Sequence, residues 1–202
     1  AAQELRARAR ARLGGAGRAI DPLVGWEDLV LPETIKTELR AFAFEARARA
    51  QLLAGGEAHR LFGRDATLSA LFTGPAGVGK TMAAQAVAGE LGVNLLIVDL
   101  GATVSKFIGE TAKTLTRIFA QAEAAGAVLF FDEADALFAK RTDVRDSHDR
   151  YANADTNHLL QLLESYGGMV ILASNKRANL DPAFLRRMRH VIEFPRAGEA
   201  QQ

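Results

Sequence analysis

LFTGPAGVGKT, running from Leu71 to Thr81, is the stretch that decides the fold. Its core, Gly74-Pro75-Ala76-Gly77-Val78-Gly79-Lys80-Thr81, matches the pattern G-x-x-x-x-G-K-[ST]. The flanks suit the mechanism as well. A short apolar run, TLSALF, precedes it, and helical text, KTMAAQAVAGELG, follows. Gly77 and Gly79 let the backbone curl until successive N–H groups face one point, and a helix N-terminus adds a partial positive charge there. Such a turn cradles phosphate. Lys80 is placed to reach the β- and γ-phosphates and the Thr81 hydroxyl to ligate Mg²⁺, with Met82 grouped beside them.

Outward from this turn, further apolar runs have the length of strands: NLLIVDL, AVLFF, MVILAS and a shorter HVIEF. Helical text separates them. In TAKTLTRIFAQAEAAG, Leu115, Ile118, Phe119 and Ala122 recur at helical spacing. Strands apolar on both faces, alternating with helices, predict an α/β fold: a five-stranded parallel sheet sandwiched by helices. The run AVLFF enters Asp132 and Glu133. Strands of such sheets deliver their C-terminal residues to the ligand crevice. Asp132 is therefore expected to hold Mg²⁺ and Glu133 to orient and polarise an attacking water. Asp135 reads as a cap or interface residue.

Read as letters, Asp132 to Asp135 spell DEAD and suggest an RNA helicase. That family needs two ATPase domains, and 202 residues have room for one. It also carries Ser-Ala-Thr after the next strand, where MVILAS here runs into Asn175. With 25 Lys and Arg against 24 Asp and Glu, the net charge is +1, and no general pull toward nucleic acid follows. The chain is 49% apolar and 24% charged and has no cysteine, which excludes disulfides and thiolate metal sites. No apolar run approaches the roughly 20 residues that span a bilayer, so a cytoplasmic protein without membrane contact is expected.

Residues 1–24 read as an Ala/Arg-rich helix or linker, with Arg6, Arg8, Arg10 and Arg12 spread around any helix they form. Residues 25–196 are the folded unit and 197–202 a tail. Pro32 and Glu33 open a helix in which Leu39, Phe42, Phe44 and Leu52 help form an apolar face. Between Arg141 and Asn157 the chain is polar. A metal site of Asp143, Asp146, His148 and Asp149 is conceivable there, and an exposed or pore-facing loop is the favoured reading.

With these motifs in place, the chain from about Val24 to Pro195 resembles the AAA+ ATPases, a branch of the P-loop NTPases. GPAGVGKT matches the family's phosphate loop, FFDEADALFAKR its metal and water strand, and ILASN puts Asn175 at its polar sensor position. VGWEDLVL is similar to the adenine-side segment, which implies Leu29 and Val30 as pocket lining. NLDPAFLRRMRHVIEF is similar to the segment bearing trans-acting arginines, which implies Arg186 and Arg189, with Arg187 solvated. SKFIGET resembles a pore loop, which implies that Lys106, Phe107, Ile108 and Gly109 grip an extended peptide. The wording of FIGET, LFFDEADALF, HDRYAN and FLRRMRHVIEF looks most like AAA+ proteins of contractile, phage-tail-like injection particles. The resemblance implies Mg²⁺-dependent hydrolysis of ATP to ADP and phosphate in a homo-hexameric ring, coupled to remodelling or threading of a protein substrate or particle component. A nucleotide-switched binding module, and a clamp loader or helicase acting on nucleic acid, are the alternatives. After Pro195 the resemblance leads one to expect that the family's C-terminal helical lid was removed, is disordered, or is a point where this chain departs from the family, and an isolated subunit is expected to turn over slowly.

Overall fold

A computed structural model describes residues 17–54, 67–106, 110–138, 147–177 and 180–196. The strands are β1 (Arg18–Ile20), β2 (Leu68–Thr73), β3 (Leu95–Asp99), β4 (Val128–Asp132), β5 (Met169–Ser174) and β6 (His190–Glu193). The helices are α1 (Glu33–Ala54), α2 (Lys80–Leu91), α3 (Leu100–Lys106), α4 (Thr111–Ala125), α5 (Asp135–Phe138), α6 (Ser147–Ser165) and α7 (Pro182–Leu185), with a 3-10 turn at Trp26–Asp28.

The sheet runs β1-β3-β4-β5-β2-β6. From β3 to β6 every pairing is parallel. β2 and β5 are buried along their whole length, as strands covered on both faces must be. Neighbouring residues of each strand go to opposite sides. Leu71, Leu129, Phe131 and Leu172 face a core built with α3, α4, α5 and α6, while Ala70, Phe72, Phe130 and Ile171 face one built with α1 and α2. Leu115, Ile118, Phe119 and Ala122 are all buried, so the spacing read for α4 marks its inward face.

Two expectations are corrected. The sheet has a sixth strand, β1, which pairs antiparallel with β3 through Arg18↔Ile97, Ala19↔Leu96 and Ile20↔Leu95. It lies inside the segment read as helix or linker. Three half-exposed residues carry no usable alternation, and they are strand because the open edge of β3 offers partners. In α1, Leu39 and Phe42 are buried, but Phe44 is 71% and Leu52 52% exposed. Phe44 follows Phe42 by two positions, about 200° around a helix, so the two cannot share a face.

The parallel strands all point one way. Thr73, Asp99, Asp132 and Ser174 therefore end at the same edge of the sheet, and the chain's polar chemistry gathers there.

Candidate functional site

The loop after β2 folds as its glycines require. Gly77 (φ 81°) and Gly79 (φ 92°) lie in the left-handed region that side chains disfavour. Gly74 has no room for one, since a Cβ there would stand 2.4 Å from the Phe194 carbonyl oxygen. α2 opens directly from Gly79, with Lys80 as its first residue and Thr81, half-buried, as its second. Pro75, Ala76 and Val78 complete the loop.

Lys80 is 6% exposed. Its Nζ donates to Gly74 O at 2.7 Å, Pro75 O at 2.8 Å and Asn175 Oδ1 at 2.7 Å. The ammonium is thus curled over the loop's own mouth and tied to the exit of β5. Burial lowers its pKa, and the negative charges of Asp132 and Asp135 partly offset that. A buried ammonium with exchangeable neutral acceptors suits an anionic ligand that brings stronger ones.

β4 ends in Asp132, whose Oδ1 accepts the Glu133 N–H at 2.9 Å. Glu133 has φ 54°, the one positive-φ residue besides glycine among the described residues. Such a backbone is uncommon and held only where the surroundings impose it. Here the imposing contacts are Ala134 N to Ala173 O at 2.8 Å and Ala136 N to Glu133 O at 2.9 Å. They turn the Glu133 side chain out of the sheet. Asp135 opens α5 and accepts the Ser174 hydroxyl at 3.0 Å, so it braces the strand ends.

Sequence reading missed Asp99. The β3–β4 register sets Asp99 beside Asp132. Its Oδ1 accepts Ala102 N at 2.8 Å, at the start of α3. A Cβ on Gly101 would lie 2.3 Å from Glu133 Oε2 and 3.4 Å from Asp99 Oδ1, so both carboxylates overhang that glycine. Asp99 is the largest cause of a raised Glu133 pKa, followed by burial and then by Asp132 and Asp135. The signal was available: NLLIVD and AVLFFD both end in an acid, and adjacent parallel strands bring such ends together.

No group of three His, Cys, Asp or Glu able to hold a metal occurs among the described residues. Mg²⁺ does not require one. It commonly takes one or two carboxylates, substrate phosphates and waters. The hard oxygens of Asp132 and Thr81, beside a phosphate-shaped loop, fit that mode. A cleft of about 460 Å³ opens beside the loop, lined by Thr73, Gly74, Pro75, Asn175 and Arg177 among others.

The remaining expectations divide. Leu29 is 3% exposed and belongs to the α1–α2 core, so it is corrected from pocket lining to core. The 3-10 turn before it is pinned to α2 by Trp26 Nε1 to Glu90, which forces the side chain inward. Val30 is 94% exposed and free to meet a base, and Met82 is 40% exposed. Phe107, Ile108 and Gly109 lie outside the described residues, as do the Lys106 side chain, Asp143, Asp146 and the side chains of His148 and Asp149.

Arg189 stands apart from the loop. The Arg189 N–H meets Ser69 Oγ at 3.4 Å, near the start of β2, whereas the phosphate loop begins at its end. Five residues of strand separate them, about 16 Å. Arg186 ends α7 and is exposed. Arg187 pairs with Glu164 at 3.4 Å.

The sequence profile of the ATPase family associated with various cellular activities (AAA) matches residues 70–196. A proteasome-activating nucleotidase of Aeropyrum pernix is 40% identical over 143 residues, 67% of this chain and 35% of that protein. A 26S proteasome regulatory subunit 6B homolog of Schizosaccharomyces pombe is 35% identical over 166 residues, 78% of this chain and 43% of that protein. The ribosome biogenesis ATPase RIX7 of Saccharomyces cerevisiae is 33% identical over 172 residues, 84% of this chain and 20% of that protein. The chain thus spans well under half of the length of these relatives. The likeness to proteins of contractile injection particles finds no support among them. No described helix is long and apolar enough to cross a membrane. With the loop, the paired acids and a profile match that covers most of the described chain, this protein belongs to the AAA family of ATPases.

Proposed function

We propose that the chain is the nucleotide-binding core of a ring-forming, Mg²⁺-dependent ATPase that turns ATP and water into ADP and phosphate and uses the cycle to remodel protein. The observation that carries this reading is the constellation around Lys80: a buried ammonium bound to Gly74, Pro75 and Asn175 beside the Asp132–Glu133 strand end.

The loop N–H groups and Lys80 hold the β- and γ-phosphates. Mg²⁺, held by Asp132 and the Thr81 hydroxyl, would neutralise phosphate charge. Glu133 orients a water toward the γ-phosphorus and takes its proton as the new P–O bond forms and the bond to the β-phosphate oxygen breaks. Asn175 exchanges Lys80 for the γ-phosphate or the water, adding a hydrogen bond without charge. The departing charge is met by an arginine from the Arg186–Arg189 turn of a neighbouring subunit, since about 16 Å of strand separates Arg189 from the loop of its own chain. A homo-hexamer is the ring this reading implies, and the isolated subunit binds nucleotide but turns it over slowly.

Protein is the proposed substrate because relatives carry the names proteasome-activating nucleotidase and 26S proteasome regulatory subunit. Phe107, with Lys106, Ile108 and Gly109, is the proposed grip on an extended chain. An aromatic ring binds such a chain without sequence preference.

Two variants test the site. Lys80→Ala is expected to lose binding of ATP, measured by equilibrium titration. Glu133→Gln is expected to keep ATP bound and lose turnover. If Glu133→Gln hydrolyses ATP at the parent rate, the catalytic assignment is wrong.

A further inference from the structure

We propose that Glu45 divides the work of the two arginines: it ties Arg189 to α1, so that Arg186 alone is presented to a neighbouring subunit. The proposal rests on the reading that this turn acts on another subunit's nucleotide.

Glu45 lies near the middle of α1. Its Oε1 receives the Arg189 Nε, with Arg49 Nε at 3.3 Å, and its Oε2 receives His190 Nε2 at 2.7 Å. One carboxylate thus gathers three donors. The His190 ring is set by the Phe42 ring, 5.2 Å away and edge-on, and Phe42 is fully buried. The Arg189 backbone is held as well, through Ser69 Oγ. Arg189 is therefore tethered at both its main chain and its guanidinium.

Arg186, three residues earlier, has its main chain held too, by its N–H to Pro182 O at 3.2 Å, and differs in its side chain. It closes α7, is exposed, and makes no ion pair among the described residues. Its base is rigid. Pro182 opens the helix, Asp181 Oδ1 accepts Ala183 N at 2.7 Å, and Phe184 stacks on Phe138 with ring centroids 3.8 Å apart and planes 12° from parallel. Asp181 N also donates to Phe138 O at 2.9 Å. A free guanidinium on a fixed base can meet phosphate oxygens across an interface with little ordering cost.

The tether on Arg189 is breakable. Its side chain is 54% exposed. A cavity of about 240 Å³, lined by Arg49, Ser69, Glu164, Arg187 and Arg189 among others, adjoins it. Glu45 is thus a positioning residue that withholds a second arginine.

The test is a rescue in the full chain, at protein concentrations where light scattering shows assembly. Arg186→Ala is expected to lower kcat by roughly 10³ or more. Adding Glu45→Ala to it should release Arg189 and return at least about tenfold of that loss, and adding Arg189→Ala should remove the gain. Glu45→Gln, which keeps the volume and removes the charge, is measured alongside with thermal melts in case the alanine variant folds poorly. If Arg186→Ala is not slower than the parent, the trans-arginine reading fails. If it is slower and neither Glu45 variant restores rate, or if the gain survives Arg189→Ala, the role given to Glu45 is overturned.

Discussion

The two ends of the parallel sheet are built from similar material and put to opposite use. At the ends of β2 to β5, charge is concentrated and internally committed. Lys80 is buried and bonded three ways, and Asp99, Asp132, Glu133 and Asp135 crowd within reach of one another. At the start of β6, Arg186, Arg187 and Arg189 stand exposed, and the pairs two of them make are with half-exposed or exposed carboxylates. A site assembled within one chain needs its partners at hand. A group that serves another chain must keep a face open. On the proposed function, the contrast separates what this subunit does alone from what it lends.

The largest effect should come from breaking that division. Arg186→Ala and Glu133→Gln are each expected to abolish most turnover. An arginine supplied across an interface is worth roughly 10³–10⁵ in rate, about 4–7 kcal/mol. Mixed together, the two variants should recover activity, because a subunit lacking Glu133 still lends Arg186 to an intact site next door. Steady-state ATPase of the mixture against each parent measures this. A mixture as inactive as its components would place the arginine in its own subunit's site.

Next in size is the base on which Arg186 rides. Phe184 and Phe138 are both 2% exposed and stacked. Phe184→Ala should cost about 3–5 kcal/mol of stability, read as a lower denaturant midpoint. The equivalent loss from Phe44→Ala should be near zero, since that ring is already in solvent.

At the opposite end, Gly101→Ala is expected to act on rate rather than stability. Its Cβ would stand 2.3 Å from Glu133 Oε2, the far end of a side chain that can move aside. Displacing the water-orienting group by about 1 Å should lower kcat by roughly 10–10²-fold, with KM for ATP little changed. An unchanged kcat would show that Glu133 works from another position than the one seen here.

How much of this was legible beforehand depends on how each feature is written in the chain. The phosphate loop could be read because its glycines, Lys80 and Thr81 are contiguous and each is required by backbone geometry or charge. Four of the five parallel strands could be read because burial on both faces leaves nearly unbroken apolar runs, and the edge strand β6 from the shorter run around Val191 and Ile192. β1 could not, because three residues at an edge owe their conformation to β3 and not to their own pattern. Asp99 was hidden for a milder reason: its meaning comes from the register that sets it beside Asp132. Leu29 misled because a resemblance transfers a position and not the direction of its side chain. Glu45 lies 144 residues from Arg189 and offers no local signal at all.

The smallest effect sharpens the comparison most, because it depends on solvent. Burial tends to raise the Glu45 pKa, but the hydrogen bond from His190 and the charge of Arg189 outweigh it and hold the carboxyl below its ordinary value. A folded pKa below the unfolded one gives stability that is present above about pH 4.5 and is lost as pH falls through the folded value. The parent should therefore lose stability relative to Glu45→Gln on acidification below about pH 4.5, by about 1 kcal/mol or less given the exposure of Arg189. Raising salt to about 1 M shortens the screening length to about 3 Å and should erase most of that difference. The bonds of buried Lys80 should not respond in the same way, so Lys80→Met is expected to change the melting temperature by a similar amount at low and high salt. If the Glu45 difference proves as indifferent to salt as that of Lys80, the two ends of the sheet do not differ in the manner of their commitment, and Arg189 is a structural anchor that no neighbour could draw away.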